Sequence, residues 1–337
     1  IGLVLIGLVG VILAVLFGRV AAVGVAGVQV QRAQQILHAR AEGRLVVAQG
    51  GQAFGFSVWL DGAFLSSWAG EPSAYNGTLT IPLPASSLSN PDLLTPGTEH
   101  VITVLVDHMG LNGNYVIGEE TLKQPRGILS YALTLPNRTT AIPAAAISWK
   151  LTGNLGGESY RDLVRGPLNE GALHPERQGF HLPSPPSDPW PRADPSSHVF
   201  ERPGVRFYTA PLRLDIPPGY DVPLSIQFTP PSPPGNSTTS AAGNGTAETP
   251  ACRAQLFVNG YQFGKYVPHI GPQTRFPVPE GVLDHRGPNT LALAVWGMQP
   301  GAALGPVRWE VGMVSETGYG PVALSEAPVW EEREGAY

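Results

Sequence analysis

The sequence predicts an all-β fold: two tandem β-sandwiches behind an N-terminal apolar segment of helical length. Composition, periodicity and an internal repeat carry this expectation. Charged residues make up only 14% of the 337, while Gly (41) and Pro (35) are abundant; an average globular chain is about 25% charged. Gly and Pro interrupt helices but suit the corners of sandwiches and barrels. From Arg44 onward, short apolar runs alternate with turn residues and no helical period is sustained. The length suits two domains, each able to bury a core of its own.

Residues Ile1 to Phe17 carry no charged or polar side chain, Arg19 interrupts, and a small-apolar run continues from Val20 to Val30. A spanning helix needs about 20 apolar residues. The segment 1–36 therefore reads as a membrane helix with Arg19 snorkelling to an interface, as the core of a signal peptide, or as a stretch foreign to the fold. Beyond it, strands are expected at 44–48, 57–60, 78–83, 101–106 and 127–133, then at 205–208, 224–228, 255–258, 290–295 and 307–313. Proline-rich 183–189 reads as an extended surface crossing, and 230–250 as a long polar insertion of low complexity.

The repeat divides the chain. Leu60-Asp61-Gly62 and Val258-Asn259-Gly260 each follow an aromatic-rich strand, and an aromatic falls six residues beyond each Gly, at Trp68 and Tyr266. Asp-Gly and Asn-Gly are the strongest two-residue hairpin signals, because both central positions of a type I′ turn need positive φ. Gly97 then leads into Val101-Ile-Thr-Val-Leu-Val106 and Met109, as Gly287 leads into Thr290-Leu-Ala-Leu-Ala-Val295 and Met298. Two copies of one sandwich follow, at 37–148 and 149–337.

A net charge of -5 with no basic run gives no electrostatic footprint for nucleic acid. The single cysteine, Cys252, has no partner in the chain, so cysteine pairing says nothing about compartment. The acceptor triplets at Asn76, Asn137, Asn236 and Asn244 sit in turn-like contexts and point to a secreted glycoprotein.

Chemistry is scarce. Glu119 and Glu120 are neighbours, so on a strand they would face opposite ways. Asn169-Glu170 stands in a turn-rich loop with no buried strand before it, which favours a structural role for Glu170. Gly55-Phe-Ser57-Val-Trp59 ends in Trp where a nucleophile elbow requires Gly. Asp107-His108, and His174 with His181, lack metal-ligand spacing. Gly153-Asn-Leu-Gly156-Gly157 is no phosphate cradle. Hence no catalytic residue, metal or cofactor is expected. Among the aromatics, Trp68 and Tyr266 are the candidates for stacking on a sugar, because both follow turns.

Gly50-Gly-Gln-Ala-Phe-Gly-Phe-Ser-Val-Trp-Leu-Asp-Gly62 resembles the first jelly-roll module in the tail of fungal glycoside hydrolase family 35 β-galactosidases. Ile147-Ser-Trp-Lys-Leu-Thr-Gly-Asn-Leu-Gly-Gly-Glu158, Arg165-Gly-Pro-Leu-Asn-Glu-Gly171 and Glu176-Arg-Gln-Gly-Phe-His181 are similar to the signature of its second module. Val258-Asn-Gly-Tyr261, Ile270-Gly-Pro-Gln-Thr274 and Phe276-Pro-Val-Pro-Glu-Gly281 continue it in order, so the resemblance runs from Leu37 to Ser325 and leaves 1–36 outside.

That resemblance implies two galactose-binding-like jelly rolls attached to a catalytic barrel, whose two glutamates and their motifs are absent here. The barrel, in cis, is then the expected partner, and the parent would release terminal β-galactosyl residues with retention. The loop bearing Arg161, Asp162, Arg165, Glu170, Glu176 and Arg177 is the candidate inter-domain surface, with a solvated loop as the alternative. The competing reading is an independent lectin-like module for β-galactosides or galactan, membrane-tethered only if residues 1–30 are genuine.

Overall fold

The computed structural model describes residues 6–8, 28–33, 43–50, 55–70, 76–83, 100–107, 127–134, 141, 147–152, 175, 178–186, 190–231 and 250–325. The elements described over more than one residue are strands. The earlier ones are β1 (Ile6–Leu8), β2 (Val28–Ala33), β3 (Gly43–Gly50), β4 (Gly55–Leu60), β5 (Ala63–Trp68), β6 (Asn76–Leu83), β7 (His100–Asp107), β8 (Gly127–Thr134) and β9 (Ile147–Thr152). Then come β10 (Val199–Phe200), β11 (Gly204–Arg213), β12 (Tyr220–Asp221), β13 (Leu224–Phe228), β14 (Cys252–Val258), β15 (Tyr261–Tyr266), β16 (Arg275–Pro277), β17 (Pro288–Gly297), β18 (Ala302–Ala303), β19 (Val307–Val311) and β20 (Ser315–Glu316). They fall into two compact units, β2–β9 in one, β1 and β10–β20 in the other.

Each unit holds a five-stranded and a three-stranded antiparallel sheet, and the two units share one strand order. In the first, the orders are β5-β4-β7-β2-β9 and β6-β3-β8; in the second, β15-β14-β17-β11-β1 and β16-β13-β19. Strand by strand along the chain, β2 to β8 therefore correspond to β11, β13, β14, β15, β16, β17 and β19. The repeat seen in the sequence is a repeat of topology. Within each unit the inward faces of both sheets meet in one apolar core. The first core contains Phe56, Val58 and Leu60 of β4, Ile102, Val104 and Val106 of β7, and Ile81 and Leu133 from the smaller sheet. The second contains Leu256 and Val258 of β14, Leu291 and Leu293 of β17, and Ile226 and Phe228 of β13. Alternate positions thus build each core, as the period of a strand requires.

Val28-Gln-Val-Gln-Arg-Ala33 lies between β7 and β9, pairing Val30 with Thr103 and Lys150. Its sequence ran on from an apolar stretch, which hid the strand; topologically it is the first member of the repeat. A strand also occupies Ile6–Leu8, against Phe207–Thr209 of β11. The rest of 1–36 lies outside the described residues. No helix among the described residues is long and apolar enough to cross a membrane.

Between the larger and smaller sheets, both units use one aromatic ring laid on a glycine. A Cβ on Gly77 of β6 would stand 2.9 Å from the Trp68 ring of β5, and one on Gly264 of β15 would stand 2.6 Å from the Phe276 ring of β16. The ring and the glycine have changed strands between the two units.

Candidate functional site

Both hairpins close in the way the dipeptides require. Asp61 and Gly62 have φ of 47° and 80°, Asn259 and Gly260 of 48° and 87°, the double positive φ of a type I′ turn. The Asx side chain has a second task. Asp61 N–H donates to the Val101 carbonyl (2.8 Å) while its Oδ1 accepts from Val101 N–H (2.7 Å). Asn259 repeats this on Thr290, at 2.9 and 2.8 Å. Each turn is thus clamped to the first residues of the neighbouring strand, β7 or β17.

In the second unit the clamp extends into a buried network. Asn259 Nδ2 donates to the Val282 carbonyl and to Asn289 Oδ1, both at 2.7 Å. Asn289 Oδ1 also accepts from Asp284 N–H, and its Nδ2 donates back to the Asp284 carbonyl. Asn289 was no candidate in the sequence. The signal available was the turn-rich Asp284-His-Arg-Gly-Pro-Asn289, which needs side-chain partners for its backbone.

The outward face of the second unit's larger sheet is buried as well. Phe207, Phe257, Ala292, Ala294 and Trp296 point away from the core cluster yet are almost wholly covered. Part of the cover is Gln178-Gly-Phe-His181 and Trp190. Phe180 packs on Trp190 (centroids 4.2 Å), Trp190 is edge-on to Phe207, and His181 is edge-on to Phe257 at 5.5 Å. Thr290 Oγ1 donates to the Pro183 carbonyl (3.2 Å), fixing the start of the proline-rich crossing. The Gly179-Phe-His181 signature is in this structure a piece of covering loop.

Burial pushes the His181 imidazole down to about 4. Its ordinary value is 6.5, so between these pH values the unfolded chain binds a proton that the native chain does not. Stability attributable to this residue is complete above about pH 6.5, falls as pH drops toward about 4, and is flat below. The loss should reach about 3 kcal/mol. Urea unfolding at pH 7 and pH 4.5 should show it, and His181→Leu should flatten that part of the pH slope; an unchanged slope would refute the assignment.

Tyr266, offered as a sugar contact, is a core residue. It is 0% exposed and its ring stacks on Phe228 at 4.3 Å and 15°; no face is left for a pyranose. Trp68 is half-buried against the first core and over Gly77. Arg161, Asp162, Arg165, Glu170, Glu176 and Arg177 lie outside the described residues, as do Asn137, Asn236 and Asn244; Asn76 begins β6.

Several described carboxylates are engaged in structure. Asp61 clamps its turn. Asp194 accepts from Ser196 N–H and Oγ, and Asp284 from Arg286 N–H. Glu310 pairs with Arg275 and Arg308 on the surface. Cys252 is a buried free thiol pushed up to about 12 by burial, which makes it inert as a nucleophile. No group of three His, Cys, Asp or Glu able to hold a metal occurs among the described residues.

Fold and side chains together define an all-β type with a twofold-repeated strand order, in which Asp61, Asn259, Asn289 and Asp284 serve the turns. The sequence profile described as the β-galactosidase second all-beta domain matches residues 28–112 and 174–301, and the chain belongs to that family. The matched stretches begin with β2 and take in Val28–Ala33, so the family pattern starts ahead of the resemblance that runs from Leu37. Beta-galactosidase A of Aspergillus oryzae is 48% identical over 290 residues, and that of a Penicillium species 45% over 293. These alignments cover 86% and 87% of this chain. The chain spans 26% of the length of each relative. Among solved structures, a GH78 family rhamnosidase of Bacillus sp. GL1 is 12% identical with a TM-score of 0.27, covering 93% of this chain and 37% of its own; so slight a likeness carries no argument.

Proposed function

We propose that the chain is a non-catalytic, tail-type region of a secreted β-galactosidase, in which two jelly-roll modules brace and complete the catalytic barrel. The observation that carries this reading is the repeated strand order within a family named for a β-galactosidase's second all-β domain. The relatives' much greater length leaves room for a catalytic part elsewhere in such a polypeptide. On this reading the parent hydrolyses terminal β-D-galactosyl residues, and the polar loop from Arg161 to Arg177 contributes to the inter-domain surface.

The isolated chain is expected to leave a chromogenic β-galactoside uncleaved. Turnover above the buffer rate that vanishes in Glu170→Gln would overturn the reading. Titration with simple β-galactosides and galactan supplies the other arm: saturable binding lost in Trp68→Ala would replace the bracing role by a lectin-like one.

A further inference from the structure

After β19 the chain continues as an extended strap over one end of the second unit. Its backbone is well held. Gly312 N–H donates to the Pro223 carbonyl (2.7 Å), Thr317 N–H to the Gly219 carbonyl (2.8 Å) and Ser325 N–H to the Gly281 carbonyl (2.8 Å). β20 pairs with β12 through Tyr220 and Asp221. The side chains are left out. Met313 and Tyr319 are each 84% exposed, Val311 61%, Leu324 54%, Val314 51%, and Tyr220 beside them 41%. Glu316 is the sole charge from Val311 to Ser325. A segment tied down by its main chain while it displays a run of large apolar side chains is built to be covered.

We propose that this strap, Val311 to Leu324 with Tyr220, is the docking surface for a neutral, apolar face of another domain of the longer polypeptide. The proposal rests on the accessory reading above and assigns it a contact surface distinct from the Arg161–Arg177 loop. Length argues for this occupant, since the relatives carry almost three-quarters of their residues outside the matched stretch. Chemistry argues for its character. The strap has no Lys or Arg to meet phosphate or an anionic lipid surface, and beside Tyr319 and Tyr220 its exposed apolar side chains, Val311, Met313, Val314 and Leu324, are aliphatic and offer sugar hydroxyls nothing to bond.

The test is the triple variant Met313→Asp, Tyr319→Asp, Leu324→Asp, made in this chain alone and in Aspergillus oryzae beta-galactosidase A carrying this chain in place of its matching stretch. Exposed substitutions should leave the isolated chain melting within about 1 °C of the unmodified chain. In the chimera the same variant should lower the melting temperature by about 5 °C or more. An unchanged chimera overturns the docking surface while leaving the accessory reading intact. A chimera that does not fold even with the unmodified chain overturns that reading and the proposal with it. If the variant destabilises the isolated chain by several degrees, the strap is covered by the chain itself and the proposal fails. It fails too if the isolated chain self-associates through these residues, which the triple variant would abolish in sedimentation.

Discussion

Replacing Asn259 by leucine should cost the second unit about 3 kcal/mol or more, because one side chain satisfies several buried groups at once. It accepts from Thr290 N–H and donates to the Val282 carbonyl and to Asn289 Oδ1. Each buried polar group stranded by the change costs about 1–3 kcal/mol. The residue also sits at positive φ, where Asn and Asp are favoured over branched apolar residues. Asn259→Asp keeps the acceptor but turns a carboxylate oxygen toward two other oxygens, so it should be nearly as harmful. The mirror change, Asp61→Asn in the first unit, retains the bond from Val101 N–H and should cost under about 1 kcal/mol. Urea unfolding with hydrogen exchange at β14, β15 and β17 checks this. An Asn259→Leu protein within about 0.5 kcal/mol of the parent would show that the network contributes little.

Tyr266→Ala should be still more damaging, at about 3–5 kcal/mol, whereas Tyr266→Phe should be neutral or slightly stabilising. The ring fills the space against Phe228, which in turn meets Phe276 edge-on. The hydroxyl is buried without a hydrogen-bond partner, and burial pushes it up to about 12. Removing a stranded hydroxyl relieves a desolvation cost; removing the ring opens a cavity. A surface role in sugar binding predicts the opposite pattern, an alanine variant that melts normally. Thermal melts of the two variants decide between them.

What the sequence revealed follows from which forces are local. Strand β17 was plain because Thr290-Leu-Ala-Leu-Ala-Val295 is an apolar run bounded by turn residues. The two hairpins were plain because Asp61-Gly62 and Asn259-Gly260 supply positive φ from their own chemistry. The return strands β5 and β15 were not, since Ala-Phe-Leu-Ser-Ser-Trp and Tyr-Gln-Phe-Gly-Lys-Tyr lack β-branched residues and take their conformation from pairing with β4 and β14. β2 was masked by an apolar stretch before it and is defined by partners far along the chain. Tyr266 was misplaced for a similar reason. Its position after a turn suggested exposure, but the ring across from it, on β13, decides its burial.

Two copies of one strand order in a single polypeptide also set a sorting problem for folding. While either sheet is incomplete, the β4–β5 and β14–β15 hairpins present the same outline to β7 and to β17, and tandem repeats characteristically fail by exchanging such pieces. The aspartate of one turn and the asparagine of the other make the two hairpins unequal partners for β17. Asp61 brought to β17 would set its charge against the Val282 carbonyl and Asn289 Oδ1, with no donor to replace the lost amide. The two turns differ there by a single heavy atom, so a first-unit hairpin set against β17 would match it in shape and be disfavoured by charge.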